Sequence, residues 1–484
     1  MPAVLSPRLT MQDASFLYTE TPTGPMHAAS IGIFEGVIPF DEFLAFNEAR
    51  IHLVPRYRQR LTFVPFNVGH PTWQDDPAFD ISNHIQHAVL PPDSTLETGI
   101  QKALELAEPR MDRTRPMWKS VLIEGVPGKT LVSTMVHHCM IDGASGIELS
   151  TVMMDFDPEA PAPPPSDEPW APAPLLDDQS MLAAAARELA IDQFAQLSDA
   201  ASLMLDPARG FRQQLQLSRA ASAMMGTFDR PVLMAPWNRG AVGRKRTLAF
   251  RKYPFAMIRA LRTAHGGTVN DIALTVISEA AARYLREHGY EAPGRYFRIM
   301  CPVNVRREGA SGELGNRVSS MMPTLPAWPM DVRERHKFVV TEMSQRKAAN
   351  EAQSIELLME QAAGVPPSAM AVAAFQSSVP DPGAGWDPLP SPPLFLLPPL
   401  PSGFNFTVTN VPGVQVPQYT AGRRLVDTVG TIMLGGNLGY GVVVTTYNQN
   451  LFFNLTAEPS LMPDVERMAE LVDAVVTELV GTAK

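Results

Sequence analysis

The chain has 484 residues, 45% apolar and 19% charged, a globular composition with room for two or three domains and sizeable cores. A formal net charge of −10 and a pI near 5.5 argue against a nucleic-acid partner. The two cysteines, Cys139 and Cys301, make no disulfide framework, and with no secretory leader or run of about 18 apolar residues a cytoplasmic protein with at most peripheral membrane contact is expected.

Residues 1–155 read as mixed α/β. His27–Phe34 reads as a strand, and Leu61–Val64 leads to a second run around Trp73. Gly99–Pro109 has helical spacing and stops at proline. Trp118–Glu124 and Thr130–His138 read as the strands of a hairpin, joined by Gly125-Val126-Pro127-Gly128. A turn at Asp142-Gly143-Ala144-Ser145-Gly146 then precedes a helix over Ile147–Phe156. The 46 prolines, about twice the usual share, concentrate in residues 158–176 and 379–401. The first cluster reads as a linker unable to form regular structure. Residues 177–227 carry helical spacing, and a second α/β region runs from near Arg246 to the end. No short-period repeat is visible.

Chemistry concentrates in His137-His138-Cys139-Met140-Ile141-Asp142-Gly143. Along the strand Val132, Thr134, Val136 and His138 fall on one face, and Leu131, Ser133, Met135 and His137 on the other. A histidine at a strand end ahead of a helix has rigid support behind it and an open cleft before it. A neutral imidazole there can take the proton of an alcohol as its oxygen attacks an acyl thioester. The alternative is a hydrogen-bonded core histidine. Four fixed positions in a chain of ten histidines arise by chance in on the order of one chain in a thousand, which favours catalysis. Cys139 could form a covalent acyl-enzyme, but adjacent strand residues point to opposite faces, so a Cys139–His138 pair is disfavoured.

His-His-x-x-x-Asp-Gly resembles the signature of a broad acyltransferase superfamily that includes chloramphenicol acetyltransferase, carnitine acyltransferases and peptide-synthetase condensation domains. Further segments resemble the bacterial wax ester synthase/diacylglycerol acyltransferase family, in the expected order and over nearly the whole chain. They are Asp13-Ala14-Ser15-Phe16-Leu17 with Met26-His27, Trp73 with Asp75, Phe79-Asp80 and His84, and Met111–Trp118. Thr268-Val269-Asn270-Asp271, Pro302–Arg306, Gly315-Asn316-Arg317 and Asn410-Val411-Pro412-Gly413 follow. Two places depart from the pattern: residues 379–401 are long and proline-rich, and Lys119 stands where an acidic residue is common.

The resemblance implies an α/β fold of two chloramphenicol-acetyltransferase-like domains, each a mixed sheet with flanking helices, with the active-site channel between them. Residues 1–157 would form the N-terminal domain, 158–230 the linker and connecting helices, and 231–484 the C-terminal domain. It implies transfer of a long-chain acyl group from acyl-CoA to a diacylglycerol or long-chain alcohol, giving triacylglycerol or wax ester. The alternatives are a relative using another acceptor or a carrier-protein-bound donor, and a catalytically silent lipid-binding protein. His138 would be the general base, His137 a supporting residue, and Asp142, followed by Gly143, a structural carboxylate paired with Arg306. Asn270, Asp271 and Asn410 would serve the oxyanion, substrate or CoA, although Thr268 and Asp271 also fit a capped helix start and Asn410 a strand terminus. Trp118 reads as core. No metal and no tightly bound cofactor are implied, and the expected partners are acyl-CoA, the lipid acceptor and a membrane or lipid-inclusion surface. The chain is expected to be a monomer or homodimer. Leu389–Leu400, uncharged and broken by prolines, is expected either to connect or to form a lipid-facing flap.

Overall fold

The computed structural model describes residues 8–483 apart from 141–148, 167, 207, 213, 216, 217, 219–229, 305–317 and 363–402. Asp142, Gly143, Arg306, Gly315-Asn316-Arg317 and Leu389–Leu400 therefore lie outside the described residues. In chain order the strands are β1 (His27–Glu35), β2 (Gln59–Thr62), β3 (Thr72–Asp75), β4 (Ile85–Val89), β5 (Trp118–Glu124), β6 (Lys129–His137), β7 (Thr247–Pro254), β8 (Tyr296–Asn304), β9 (Val318–Met321), β10 (Thr324–Pro326), β11 (Phe406–Val411), β12 (Tyr419–Thr420), β13 (Arg423–Gly430), β14 (Tyr440–Tyr447) and β15 (Asn450–Ala457).

Two mixed sheets organise them. The first runs β12-β13-β1-β6-β5-β4, antiparallel except for the parallel β5–β4 pair. The second runs β10-β8-β11-β14-β15-β7, with β9 also on β8, and β11 is parallel to both its neighbours. Residues 419–430, inside the span read as the second domain, supply two strands of the first sheet. The chain then crosses back. The Thr431 amide donates to the Ala29 carbonyl at 2.8 Å and the Ile432 amide to Thr456 Oγ1 at 3.3 Å, so one short connection touches both sheets.

Local sequence explains the elements that carry the site. β5 and β6 turn through Gly125, whose φ of +110° and contact with the Leu90 carbonyl leave no room for a Cβ. On β6 the odd positions Leu131 and Met135 enter one apolar cluster with β1, β5 and the helix Leu96–Leu106. The even positions Val132 and Val136 enter another, with Phe34, Phe43, Tyr57 and Trp118. The helix read over Gly99–Pro109 begins earlier, at Leu96, because Thr95 caps it by accepting the Thr98 amide at 3.2 Å. It ends at Leu106, ahead of Pro109. In the second lobe the helix Val269–Glu287 is buried along most of its length and forms the centre of the largest core cluster.

The described residues of 158–176 have no regular structure, yet they are tied down. Side-chain oxygens of Asp75 and Gln74 on β3 accept the amides of Ala173 and Leu176, at 3.0 and 2.9 Å. The Arg58 guanidinium lies 4.8 Å over the Trp170 ring. The segment thus works as a strap leading into the helix Asp178–Leu205, of which Met181 and Ala185 are buried.

Candidate active site

β6 ends at His137, and His138 is the first residue of the turn that follows. The two imidazoles occupy different surroundings, as alternation on a strand requires. His137 is fully buried. Its Nδ1 accepts the Cys139 amide at 3.2 Å, which assigns the ring proton to Nε2, and Nε2 lies 3.4 Å from Glu20 Oε1. His138 is half-buried. Its amide donates to the Met26 carbonyl at 2.8 Å, and its ring stacks on Phe16 with centroids 4.2 Å apart.

The face of β6 that carries His138 opens onto an apolar cavity of about 160 Å³. Val132 and Thr134 form part of its floor, next to Gly32 of β1 and Ser120 of β5. Its roof is Phe43 and Phe46 of the helix Phe40–Glu48, together with Met153 and Met154 from the helical turn after the histidine motif. Trp118 belongs to the wall and to the core at once: it is buried, its indole N–H donates to the Tyr57 carbonyl at 2.8 Å, and it stacks between Tyr57 and His84.

Behind the histidines stands a buried acidic centre that the sequence reading passed over. Glu20 is the residue at the C-terminal end of the helix Met11–Thr19 and is buried. Its Oε1 accepts the Met26 amide at 3.0 Å, and its Oε2 accepts from Arg113 at 2.9 Å. The same Arg113 nitrogen also donates to the Leu17 carbonyl at 3.0 Å. Burial alone would raise the Glu20 pKa, but His137, Arg113 and the Met26 amide outweigh it and hold the carboxyl at about 2. No local pattern marks Glu20: its two side-chain partners, Arg113 and His137, lie far away in sequence, and it sits in a Tyr-Thr-Glu-Thr stretch with no motif of its own. Phe16 and Arg113 lie within segments that carry the family resemblance, which assigns them no role.

Cys139 is buried among apolar residues, and burial pushes its thiol well above the usual range, so the thiolate needed for nucleophilic attack is disfavoured. Asn270 and Asn410 come together from the start of the helix Val269–Glu287 and from β11, with Asn410 Nδ2 3.4 Å from Asn270 Oδ1. Asp271 is occupied differently. Its Oδ2 accepts the Thr268 amide and hydroxyl, each at 2.8 Å, while Thr268 Oγ1 accepts the Asp271 amide at 3.2 Å. This reciprocal cap engages the carboxylate in starting the helix. Asp13 does the same work with Thr10 at the head of the helix Met11–Thr19. Gly413 closes the Asn410-Val411-Pro412-Gly413 segment where a Cβ would run into the Thr446 carbonyl, so that glycine lets the chain pass against β14. Among the described residues no His/Cys/Asp/Glu group could hold a metal ion.

Two mixed sheets, the first completed by two strands from the second half of the chain, with a paired histidine at the end of a central strand, define the fold of the two-lobed acyltransferases and condensation domains. The wax ester synthase/diacylglycerol acyltransferase from Marinobacter aquaeolei VT8 superposes with a TM-score of 0.64 at 21% identity, over 98% of this chain and 99% of that one. The first condensation domain of the CDA synthetase superposes at 0.60 with 14% identity, over 100% and 98%. The chain belongs to the wax ester synthase/diacylglycerol acyltransferase family: that family's catalytic domain matches residues 9–273 and its C-terminal domain residues 314–479. It is an acyltransferase. A protein of Mycobacterium tuberculosis strain H37Rv named "probable diacylglycerol O-acyltransferase" is 27% identical over 98% of this chain and 96% of its own length.

Proposed function

We propose that the protein transfers a long-chain acyl group from acyl-CoA to a diacylglycerol or long-chain alcohol, with His138 as the general base. The observation that carries this reading is the placement of His138 at the end of a strand whose same face, two and three strand repeats back, forms the floor of an apolar cavity. In this reading the cavity takes an alkyl chain and the imidazole meets the polar end of the reacting pair.

The thioester carbonyl is already activated, so what the reaction lacks is a deprotonated alcohol. The His138 imidazole accepts the hydroxyl proton as the new C–O bond forms, an effect worth roughly 10²–10⁴-fold. The tetrahedral oxyanion then collapses, the C–S bond breaks, and the imidazolium returns its proton to the CoA thiolate. Phe16, stacked on His138, favours the imidazolium through its π face. Asn270 and Asn410 are candidate donors to the oxyanion or substrate, and Asp142 with Arg306 the proposed structural pair of the motif. Contact with a membrane or lipid inclusion belongs to the same reading. It is supported by the helix Asp178–Leu205, where Phe194 and Leu197 are 73% and 70% exposed one helical turn apart. Among the described residues no helix is long and apolar enough to cross a membrane.

The test is the purified protein with long-chain acyl-CoA and a panel of diacylglycerols and alcohols, products being separated by lipid chromatography. Triacylglycerol or wax ester formed with release of CoA thiol is expected. Transfer from a carrier-protein thioester but not from free acyl-CoA would overturn the donor, and transfer only to acceptors of another class would overturn the acceptor.

A further inference from the structure

We infer that Glu20 is the positioning residue of this active site, the group that fixes both the backbone and the ring of His138 from behind. The inference rests on His138 being the base in the reading above. Glu20 reaches His138 along three connected routes. Through Oε1 it takes the Met26 amide at 3.0 Å, and Met26 in turn takes the His138 amide on its carbonyl at 2.8 Å. Through Oε1 it also faces the Nε2 of His137 at 3.4 Å, and His137 holds the Cys139 amide on the other side of His138 at 3.2 Å. Through Oε2 it joins Arg113, whose second bond, to the Leu17 carbonyl at 3.0 Å, secures the last turn of the helix that presents Phe16 to the His138 ring.

The residue before His138, the residue after it and the aromatic ring against it are therefore all referred to one carboxylate. A buried anion is an expensive way to hold a fold together unless it is well paired, and here one guanidinium and one backbone amide bond the carboxylate while the His137 imidazole edge lies 3.4 Å away without a formed hydrogen bond. The arrangement has a second consequence. His138 must become a cation as it accepts the alcohol proton, and an anion one residue removed in the bonded network favours that charged form. Arg113 is present in wild type and variant alike, so removing the Glu20 charge leaves its guanidinium uncompensated and disfavours an imidazolium.

The test compares wild-type protein with Glu20→Gln, which keeps an oxygen for the Met26 amide but has no charge. Two quantities are measured: steady-state kinetics against long-chain acyl-CoA across pH, and the titration of the His138 ring by NMR, assigned by its absence in His138→Gln. Positioning predicts a folded variant whose kcat falls on the order of tenfold to a hundredfold. KM for acyl-CoA stays within about twofold if the loss is confined to the transition state. The acid limb of kcat and the His138 titration both move to lower pH. A folded Glu20→Gln protein with wild-type kcat and an unmoved His138 titration would overturn the inference, and so would a lower melting temperature with neither of the other two changed. Should Glu20→Gln fail to fold, Arg113→Lys, which keeps the charge but whose shorter side chain draws the donor nitrogen back from Glu20 and Leu17, is expected to lower kcat at constant KM, and wild-type kcat there would overturn the inference equally. The NMR arm stands even if wild-type protein shows no turnover, a result that would instead count against the acyl-CoA reading.

Discussion

At the scale of single residues, the site is a set of histidines in sharply different surroundings. His138 is half-buried against Phe16, His137 is sealed against Glu20, and His27, opposite His137 across the β1–β6 ladder, is buried with its Nε2 donating to the Ala107 carbonyl at 2.7 Å. Burial dominates His27 and lowers its pKa from 6.5 to about 4, the Ala107 bond and the Glu20 charge opposing only in part. Between those two values the unfolded chain binds a proton that the native protein does not, so stability falls as pH drops through the window. A shift of that size corresponds to about 3 kcal/mol at the acid end. His27→Gln keeps a donor for Ala107 and should flatten the decline of Tm between about pH 6.5 and 5. A slope identical to wild type would show that another group sets the acid sensitivity. The role of such residues is hard to read from sequence because it depends on what surrounds them. The strand alternation separates His137 from His138, but Glu20, whose partners Met26, Arg113 and His137 come from three other segments, carries no local mark.

At the scale of elements, β6 does two jobs because its period of two divides its side chains between a closed core and an open cavity. Leu131 and Met135 pack under the helix Leu96–Leu106, while Val132 and Thr134 line the space under the helix Phe40–Glu48. If the cavity holds the acyl chain, filling it should shorten the chain it accepts. Val132→Phe, on the cavity floor, is expected to shift the kcat/KM optimum toward shorter acyl-CoA, measured across a series of chain lengths. A folded variant with the wild-type chain-length profile would remove the cavity from the account. The elements were the most legible part of the chain: the strand ending in the histidine motif follows from alternation, its pairing with Trp118–Glu124 from the turn at Gly125, and the capped start at Thr268 from its Asp271 partner. The cavity was not legible, since its walls come from β1, β5, β6, β13 and two helices that no local period relates. The proline-rich segment 158–176 reads as irregular from composition alone, but its docking on β3 depends on side-chain oxygens of Asp75 and Gln74 that only the folded sheet places to accept.

At the scale of the whole molecule, the two sheets are interlocked rather than strung in series. β12 and β13 leave the second half of the chain to complete the first sheet, and the chain returns through Thr431 and Ile432, each bonded to a different sheet. Lys252 of β7 and Asp427 of β13 add an ion pair across the two sheets. A reading by sequence-continuous units misses such an exchange, because a strand's alternation says which face is buried and nothing about which sheet receives it. The exchange matters for function, since Leu425 and Thr428 of β13 line the cavity beside β1, so that the second half of the chain helps to build the pocket on the His138 side. The claim that unites these scales is that His138 transfers the alcohol proton directly, with no acyl group held on the enzyme. Its most direct measurement is release of CoA thiol and formation of ester by wild-type and His138→Ala protein, both shown to be folded, with saturating acyl-CoA and acceptor. The account predicts equal amounts of thiol and ester from the wild type and a loss of roughly 10²-fold or more in the variant. A His138→Ala protein that turns over at the wild-type rate, or an acyl chain trapped on wild-type protein before any acceptor is added, would contradict it.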